Sequence, residues 1–405
     1  MPALSSARLG ADFTRLWAAS AVSNIGDGVT MAAGPLLVAA VSDDPALIAG
    51  AVFAQQLPWL LFALVSGVYV DRLDRRRLVV AVNLLRAAAL AALALTVATG
   101  TVTVAVIYAV VFLLGTGETL ADTALGALLP SVVTADRLPA ANARLAATFT
   151  IGNQFAAKPL GAWLFVISAA VPFGLNALTF AVSAAFIATL RPAQAEPIRP
   201  AHVPPVGSLR GDIAEGMRWL WRHRLLRTLA VSMGLANVAF CAAFAVFVLY
   251  CRQRLGLSDL GYGFLLTTFA VGGLAGTTVA ARLGRTFGNP MVLRTGLLIE
   301  VATHLVLAVT TTPWVAATAI VLFSLHGMVW GITVASIRQR LVPDALRGRV
   351  GSTYALLDLG GAALGSLLGG LLASAGTVTT PFWIAAATVA VVAALAWRPL
   401  GEAAR

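Results

Sequence analysis

The chain has 405 residues, of which 59% are hydrophobic and only 11% are charged, and its formal net charge is +11. A soluble domain has about 45–50% apolar and about 25% charged residues, so this chain lacks the polar side chains that a water-exposed surface requires. The composition excludes a soluble globular protein and predicts one whose solvent is the lipid bilayer.

Twelve apolar stretches reach roughly the 20 residues that a helix needs to cross a hydrocarbon core of about 30 Å. Because unpaired backbone groups are not tolerated in lipid, each stretch is expected to be a helix. The sequence therefore predicts an all-α membrane protein with twelve transmembrane helices. Their predicted bounds are 13-41, 46-70, 77-98, 101-127, 140-166, 171-190, 225-250, 258-281, 290-310, 313-336, 349-374 and 379-397.

The basic residues are concentrated in alternate loops, as at 72–77 and 222–227, whereas the opposite set of loops carries only Arg252 and Arg254. By the positive-inside rule, this asymmetry places both termini in the cytoplasm of a multi-pass protein of the bacterial inner membrane. A nucleic-acid surface would not alternate from loop to loop, so no nucleic-acid partner is expected.

A long polar stretch at 191–224 separates the sixth and seventh predicted spans. It begins with five prolines between Pro192 and Pro205, which favour an extended linker. It then shows apolar residues at helical spacing, which predicts an amphipathic helix on the cytoplasmic face. We therefore expect an N-terminal six-helix half at 1-190, the linker at 191-224 and a C-terminal six-helix half at 225-405.

The loop after the second span reads G-V-Y-V-D-R-L-D-R-R-R, from Gly67 to Arg77, and a fainter copy, from Gly276 to Arg285, follows the eighth span. This loop resembles the signature of the major facilitator superfamily. The chain is similar to the drug:proton antiporter branch that contains macrolide and siderophore exporters. Weaker similarities, in the same order, are N-I-G-D at 24–27, G-x-G-E-T at 115–119 and V-P-D-A-L-R-G-R-V at 342–350.

The resemblance implies two pseudo-symmetric halves, and a loop that latches them in the outward-facing state. In this reading Gly67 allows close helix approach, and Asp71 faces a helix N-terminus. The alternative is a cluster of arginines that only sets the topology. Asp74 stands where many members have glycine, and this departure predicts a less tight turn. The expected gating residues are Gly67, Asp71, Arg72, Arg75, Arg76 and Asp122.

Ionisable residues inside spans are costly to insert, so each is a candidate functional residue. In the superfamily fold the first, fourth, seventh and tenth spans line the cavity, which places Asn24, Asp27, Glu118 and His326 there. Asp27 lies about 21 Å into its helix by the rise of about 1.5 Å per residue, and a buried carboxylate is suited to bind and release a proton. The alternatives are a permanently paired structural charge for Asp27 and a hydrogen-bonded core residue for His326.

The fifth span contains Lys158, Pro159 and Gly161, where antiporters of the superfamily have glycine followed by proline and further glycines. Lys158 is the departure, and a lone ammonium in lipid needs a counter-charge. We expect Lys158 to pair with Asp27 at a similar depth, or otherwise with Asp358 of the eleventh span. A side chain that merely reaches towards the lipid headgroups is the alternative.

Small residues predict where helices pack closely. The eleventh span repeats glycine every fourth residue, at Gly361, Gly365 and Gly369, which allows two backbones to touch. Pro159 and Gly161 are assigned the same structural role in the fifth span.

The chain has no phosphate-binding loop, no metal-spaced histidine or cysteine cluster and no nucleophile elbow. No enzymatic activity, cofactor or metal is expected, and transport would be driven by an ion gradient. We interpret the chain as a monomeric secondary transporter that exports a small, largely apolar compound, such as a drug, macrolide or siderophore-like molecule, in exchange for protons. The alternatives are a facilitative or uptake carrier of the same fold, or a membrane receptor that transports nothing.

Overall fold

The computed structural model of the protein describes residues 9–190, 209–343 and 346–401, with side chains throughout except at 63–72, 135, 209, 210, 212 and 213. All regular secondary structure within these ranges is helical. The predicted all-α class is thereby confirmed.

Helices account for the first six predicted spans. Between α5 and α6 the backbone is π-helical over Phe149–Ala157, so 138–167 forms one continuous helical stretch where a single span is predicted. The helices are α1 (Ala11–Val41), α2 (Pro45–Arg72), α3 (Arg75–Ala98), α4 (Val104–Val132), α5 (Leu138–Thr148), α6 (Lys158–Ile167) and α7 (Val171–Ala188).

The remaining helices cover the amphipathic segment and the last six predicted spans. They are α8 (Leu209–Arg222), α9 (Arg224–Ala245), α10 (Phe247–Leu249), α11 (Asp259–Val309), α12 (Pro313–Leu341), α13 (Arg347–Ala375) and α14 (Thr380–Leu400). A π-helical turn, Tyr250–Arg254, follows α10.

Ten helices of the described chain are long and apolar enough to cross a membrane. The 51-residue α11 contains a non-helical residue, Gly288, at φ 75° and ψ 156°, and so joins the predicted eighth and ninth spans through one break. The fifth predicted span is the stretch 138–167, whose pieces are individually short. These two features explain the difference from the predicted twelve spans, and the architecture is consistent with that number.

Side chains at the helix starts determine where several spans begin. The Asp74 carboxylate accepts a hydrogen bond from the backbone N–H of Arg77 at 2.8 Å and caps α3. Thr103 caps α4 and Ser258 caps α11 in the same way. Each cap satisfies a backbone donor that has no partner within its helix. The residue that departs from the family pattern, Asp74, thus acts as the N-cap of the third span.

The chain forms two compact units. Unit 1 comprises residues 1–37 and 61–201, and unit 2 comprises 38–60 and 202–405. In unit 1, α3 packs against α4 and α7. A core cluster that includes Phe13, Leu128 and Ile187 is fully or almost fully buried there.

In unit 2, α9 packs against α13 and α14, and α11 packs against α12 and α14. The amphipathic helix α8 lies against α9 and α13, and its Glu215 carboxylate accepts a hydrogen bond of 2.6 Å from Arg349. Leu220 of α8 is fully buried in the core cluster of this unit. The amphipathic helix is therefore part of the folded unit.

The glycines of the eleventh predicted span face α9. A Cβ atom built on Gly361 would lie 2.6 Å from the carbonyl oxygen of Gly234, and those on Gly365 and Gly369 would collide with the carbonyl oxygens of Val238 and Ala242. The backbones of α13 and α9 touch along this face, as close small-residue packing in a bilayer requires.

We expect Gly365→Ala to destabilise the protein, because its new methyl group would overlap the carbonyl oxygen of Val238. Overpacking of this kind costs about 1–3 kcal/mol. The matched control is Gly351→Ala on the same helix, where a Cβ would meet nothing within 4 Å. The unfolding midpoint of the purified protein should fall for Gly365→Ala and should stay level or rise for the control. Equal midpoints for the two variants would contradict the packing.

Candidate functional site

A buried ion pair lies inside unit 1. The guanidinium of Arg86 on α3 places Nη2 3.4 Å from Oδ1 of Asp27 on α1, and its carbon lies 3.9 Å from the ring centre of Phe180 on α7. Arg86 is only 5% exposed. A charge so deeply buried is tolerated only with a counter-charge and favourable packing. Asp27 and Phe180 supply these to Arg86.

The surrounding helices make room for this arginine. A Cβ on Gly117 of α4 would lie 2.7 Å from Cδ of Arg86, so glycine is needed at that position. Asp122, one helical turn further along α4, is exposed and close enough to Arg86 to interact electrostatically. The Nε atom of Arg86 has no hydrogen-bond partner among the described residues.

A polar network continues from the ion pair to α7. The side chain of Asn176 hydrogen bonds to Asp27, and its Nδ2 donates to Oγ1 of Thr30 at 2.7 Å. Thr179 in turn donates to Asn176 at 2.8 Å. Asp27 therefore sits among donors from two other helices.

The predicted partners of Lys158 are different in the structure. Its ammonium donates a hydrogen bond to Oε1 of Gln154. Of the two expected partners, Asp27 forms an ion pair with Arg86, and Asp358 accepts a hydrogen bond from Asn237. Gln154 lies four residues before Lys158, so the two side chains lie on the same face of this helical stretch. The neutral amide solvates a lysine that is 6% exposed.

The other predicted residues of unit 1 are spread over several sites. Asn24 donates to the backbone carbonyl of Ser20 at 2.7 Å. Its own carbonyl accepts from Asn153 at 2.9 Å, a bond that joins α1 to the π-helical segment. Glu118 is half-buried on α4. Gly161 packs against α1, where a Cβ would collide with the backbone of Val29. Pro159 lies in the first turn of α6.

The expected gating loop is only partly described. Arg76 donates to the carbonyl oxygen of Leu190 at 2.7 Å, and Arg75 lies 3.5 Å from that of Ala127. Both contacts satisfy carbonyls at or near the C-terminal ends of helices. The side chains of Gly67, Asp71 and Arg72 lie outside the described residues.

Unit 2 contains an aromatic cavity formed by α9, α10, α11, α12 and α14. Phe240 stacks on Phe244 and on Phe323, with ring centres 5.5 and 5.2 Å apart. Phe269 meets four of the neighbouring rings edge to face. His304 borders the same cavity, and its ring centre lies 6.2 Å from that of Phe323.

A second, more polar cavity shares Phe240 and Phe323 with the first. Glu300, His326 and Asp358 line it, and Glu300 Oε2 lies 3.9 Å from His326 Nε2. Glu300 and His326 are each 6% exposed. The structure thus places His326 at a cavity, next to a carboxylate from the ninth span.

Three features of these sites were not foreseen from the sequence. Arg86 is not among the candidate residues that the sequence pointed to, although a lone arginine within a predicted span is itself a signal of function. Glu300 faces His326 of another helix and not His304, which lies four residues further along its own helix. The aromatic cavity is formed by phenylalanines from several spans, which only the tertiary fold brings together.

The described chain is helical, with helices long enough to cross a bilayer, and polar groups are buried inside both units. These features are those of a polytopic membrane transporter. The model of the transmembrane secretion effector family matches residues 5–401. The chain belongs to this family, whose members are transporters of the major facilitator type and not enzymes.

Two multidrug efflux pumps are similar to the chain over most of its length. The multidrug efflux pump Tap of Mycolicibacterium fortuitum is 28% identical over 375 residues, which cover 90% of each chain. Tap of Mycobacterium tuberculosis is 27% identical over 380 residues, which cover 90% of this chain and 87% of that protein.

Solved structures of similar fold cover almost the whole chain. An inward-facing bacterial homologue of the iron transporter ferroportin has a TM-score of 0.76 at 17% identity, over 96% of this chain and 98% of that one. The nucleoside transporter NupG has a TM-score of 0.74 at 14% identity, over 97% of this chain and 100% of that one. At these identities the likeness shows the fold.

A double-mutant cycle between Asp27→Asn and Arg86→Gln should give a coupling free energy of unfolding of about 0.5–3 kcal/mol, because either change leaves the other side chain without its partner. The parallel cycle between Asp27→Asn and Lys158→Met should be additive within about 0.5 kcal/mol, since Lys158 binds Gln154. Chemical unfolding of the purified protein measures both. Strong coupling of Asp27 to Lys158 would restore the pairing expected from the sequence.

Proposed function

We propose that the protein is a secondary transporter that exports a small, largely apolar compound from the cell. The observation that carries the proposal is the aromatic cavity of unit 2, whose walls include Phe240, Phe244 and Phe269. Concave, mostly apolar sites with a few polar groups are typical of small-molecule binding. The relatives named as multidrug efflux pumps support drug-like compounds, macrolides and siderophore-like molecules as the substrate class.

Proton exchange at Asp27 is the coupling step that we propose. A proton on Asp27 would remove the counter-charge of Arg86, and the guanidinium would then need Asp122 or solvent. Losing or gaining the ion pair gives α1 and α3 two alternative arrangements that a proton can select. Glu118, on the adjacent α4, is the second candidate for this role.

The gating role of Gly67, Asp71, Arg72, Arg75, Arg76 and Asp122 belongs to the same proposal. Alternating access requires a latch that breaks and reforms in each cycle. Asp71 is the acidic residue of this motif, and the arginines beside it supply the opposite charge.

A facilitative or uptake carrier is the second candidate, and one observation favours it. The ion pair of Asp27 with Arg86 would keep the carboxylate charged throughout the cycle if it never opened. A carrier of that kind would equilibrate its substrate and would move no protons.

We also propose that the protein is a monomer in the bacterial inner membrane with both termini in the cytoplasm. The alternation of arginine-rich and arginine-poor loops supports this orientation. The protein then binds its substrate and protons, and the lipid bilayer surrounds it.

Export is tested in inverted membrane vesicles that contain the protein and a panel of fluorescent apolar compounds. We expect uptake of at least one compound on acidification of the lumen, and loss of that uptake on adding a protonophore. Asp27→Asn should abolish substrate-induced proton movement, whereas the exposed control Asp43→Asn should retain it. Equilibration that is indifferent to the protonophore would favour the facilitative carrier. Proton flux at the wild-type level in Asp27→Asn would exclude Asp27 as the coupling site.

Topology is tested by reporter fusions after Leu190 and after Arg398. A fluorescent reporter that folds only in the cytoplasm should be bright at both positions, and an alkaline phosphatase fusion should be inactive at both. Phosphatase activity at either position would reverse the proposed orientation.

A further inference from the structure

We infer that the junction of α8 and α9 carries a binding surface for the headgroup phosphate of an anionic phospholipid. This arginine surface consists of Arg218, Trp221, Arg222, Arg224 and Arg227. The orientation proposed above places it in the cytoplasmic leaflet, and its existence does not depend on the export function.

The exposed side of α8 carries the first part of the arginine surface. Trp221 and Arg222 lie three and four residues after Arg218, so the three side chains share one face of the helix. All three are exposed, Trp221 to 47%. The opposite face is buried, and its Leu220 enters the core cluster of unit 2. The helix is thus anchored by its apolar side and presents two guanidiniums and an indole outward.

The second part of the surface lies at the N-terminus of α9. Arg224 is the first residue of this helix and Arg227 follows one turn later, both are exposed, and the first turn has no acidic residue. Arg227 donates to the backbone carbonyl of Trp221 at 3.1 Å, which joins the two parts. A helix N-terminus is the positive end of the helix dipole, so these arginines add to a field that already favours an anion.

Few acidic side chains accompany these arginines. The sequence has none between Glu215 and Asp259. Glu215 accepts a hydrogen bond of 2.6 Å from Arg349 of α13, and the side chain of Asp212 lies outside the described residues. Arg222 makes no hydrogen bond or ion pair with any described residue. The positive charge of the surface is therefore available to a ligand.

The arginine surface lies at the level of the bilayer surface. α9 is apolar and long enough to cross a membrane, and it begins at Arg224. Arg227 lies only about 4.5 Å further along the axis, by the rise of about 1.5 Å per residue. Tryptophan favours the headgroup region of a bilayer, which suits the exposed Trp221. The guanidiniums are thus at the depth of the lipid phosphates.

The chemistry of the surface selects the ligand. All four of its basic residues are arginine, whose planar fork of donors binds phosphate in a bidentate manner. Clusters of about four to eight basic residues on an amphipathic helix, or just cytoplasmic of a span, bind anionic lipids. A free phosphate ion has no apolar part for Trp221 to contact. An anionic phospholipid provides both the phosphate and the apolar chains.

Native mass spectrometry of the purified protein in a non-ionic detergent tests the surface, with phosphatidylglycerol and phosphatidylcholine of identical acyl chains as probes. The wild-type protein should retain more of the anionic lipid. Arg218→Gln with Arg222→Gln should lower retention of phosphatidylglycerol about tenfold and leave phosphatidylcholine unchanged, because two of the four guanidiniums are gone. Both residues are exposed, and the printed contact of Arg218 is to the carbonyl of Ala214 in its own helix, so the core stays intact.

The matched control is Arg282→Gln with Arg285→Gln, which removes the same charge from exposed residues of α11 outside the arginine surface. It should retain phosphatidylglycerol at the wild-type level. Added phosphatidylglycerol should also raise the unfolding midpoint of the wild-type protein and of the control, and should do so much less for Arg218→Gln with Arg222→Gln. Equal losses of lipid in the two variants would overturn the proposal, as would equal retention of the two lipids by the wild-type protein.

Inorganic phosphate distinguishes a lipid headgroup from a free anion. An excess of phosphate should displace phosphatidylglycerol no better than chloride of the same ionic strength, since neither ion has acyl chains. Displacement by phosphate alone would refute the lipid and identify a free-phosphate site. The measurement needs neither a transport substrate nor a gradient, so a negative result here leaves the export function standing, and a failure of export in vesicles leaves the lipid surface standing.

Discussion

The cost of keeping an ionised group away from water governs the interior of this transporter. Arg86 is the clearest case, since a guanidinium that is 5% exposed must be neutralised from within the unit. Its position requires glycine at 117, an acidic residue at 27 and an aromatic ring at 180, on three different helices. One buried charge thereby fixes the relative placement of α1, α3, α4 and α7, and gives unit 1 a polar centre within an apolar shell.

Unit 2 meets the same constraint differently. Its buried carboxylate, Glu300, faces an imidazole and not a guanidinium, and both groups border cavities lined with aromatic rings. Unit 1 therefore holds its charges in an internal pair, whereas unit 2 places its buried carboxylate beside a histidine at the wall of a cavity. The two pseudo-symmetric halves expected from the sequence have in this way acquired different chemistry.

The sequence predicted the features that follow from local pattern. Apolar length gave the helices, glycine spacing indicated the close face of α13, and the resemblance in the loop at 67–77 led to the correct family. The pairing of charges was harder to predict, because depth along a helix does not determine the direction of a side chain. Lys158 and Asp27 were expected to meet at a similar depth, but Asp27 pairs with Arg86 of the third span and Lys158 with Gln154.

The π-helical segment also sets the rotation of α6 about its axis relative to α5. Each residue of an α-helix turns the chain by about 100°, so returning one extra residue to α-helical winding would rotate α6 by about that angle relative to α5. Gly161 would then turn away from the backbone of Val29. The winding of the π-helical segment and the contact of Gly161 with α1 therefore depend on each other.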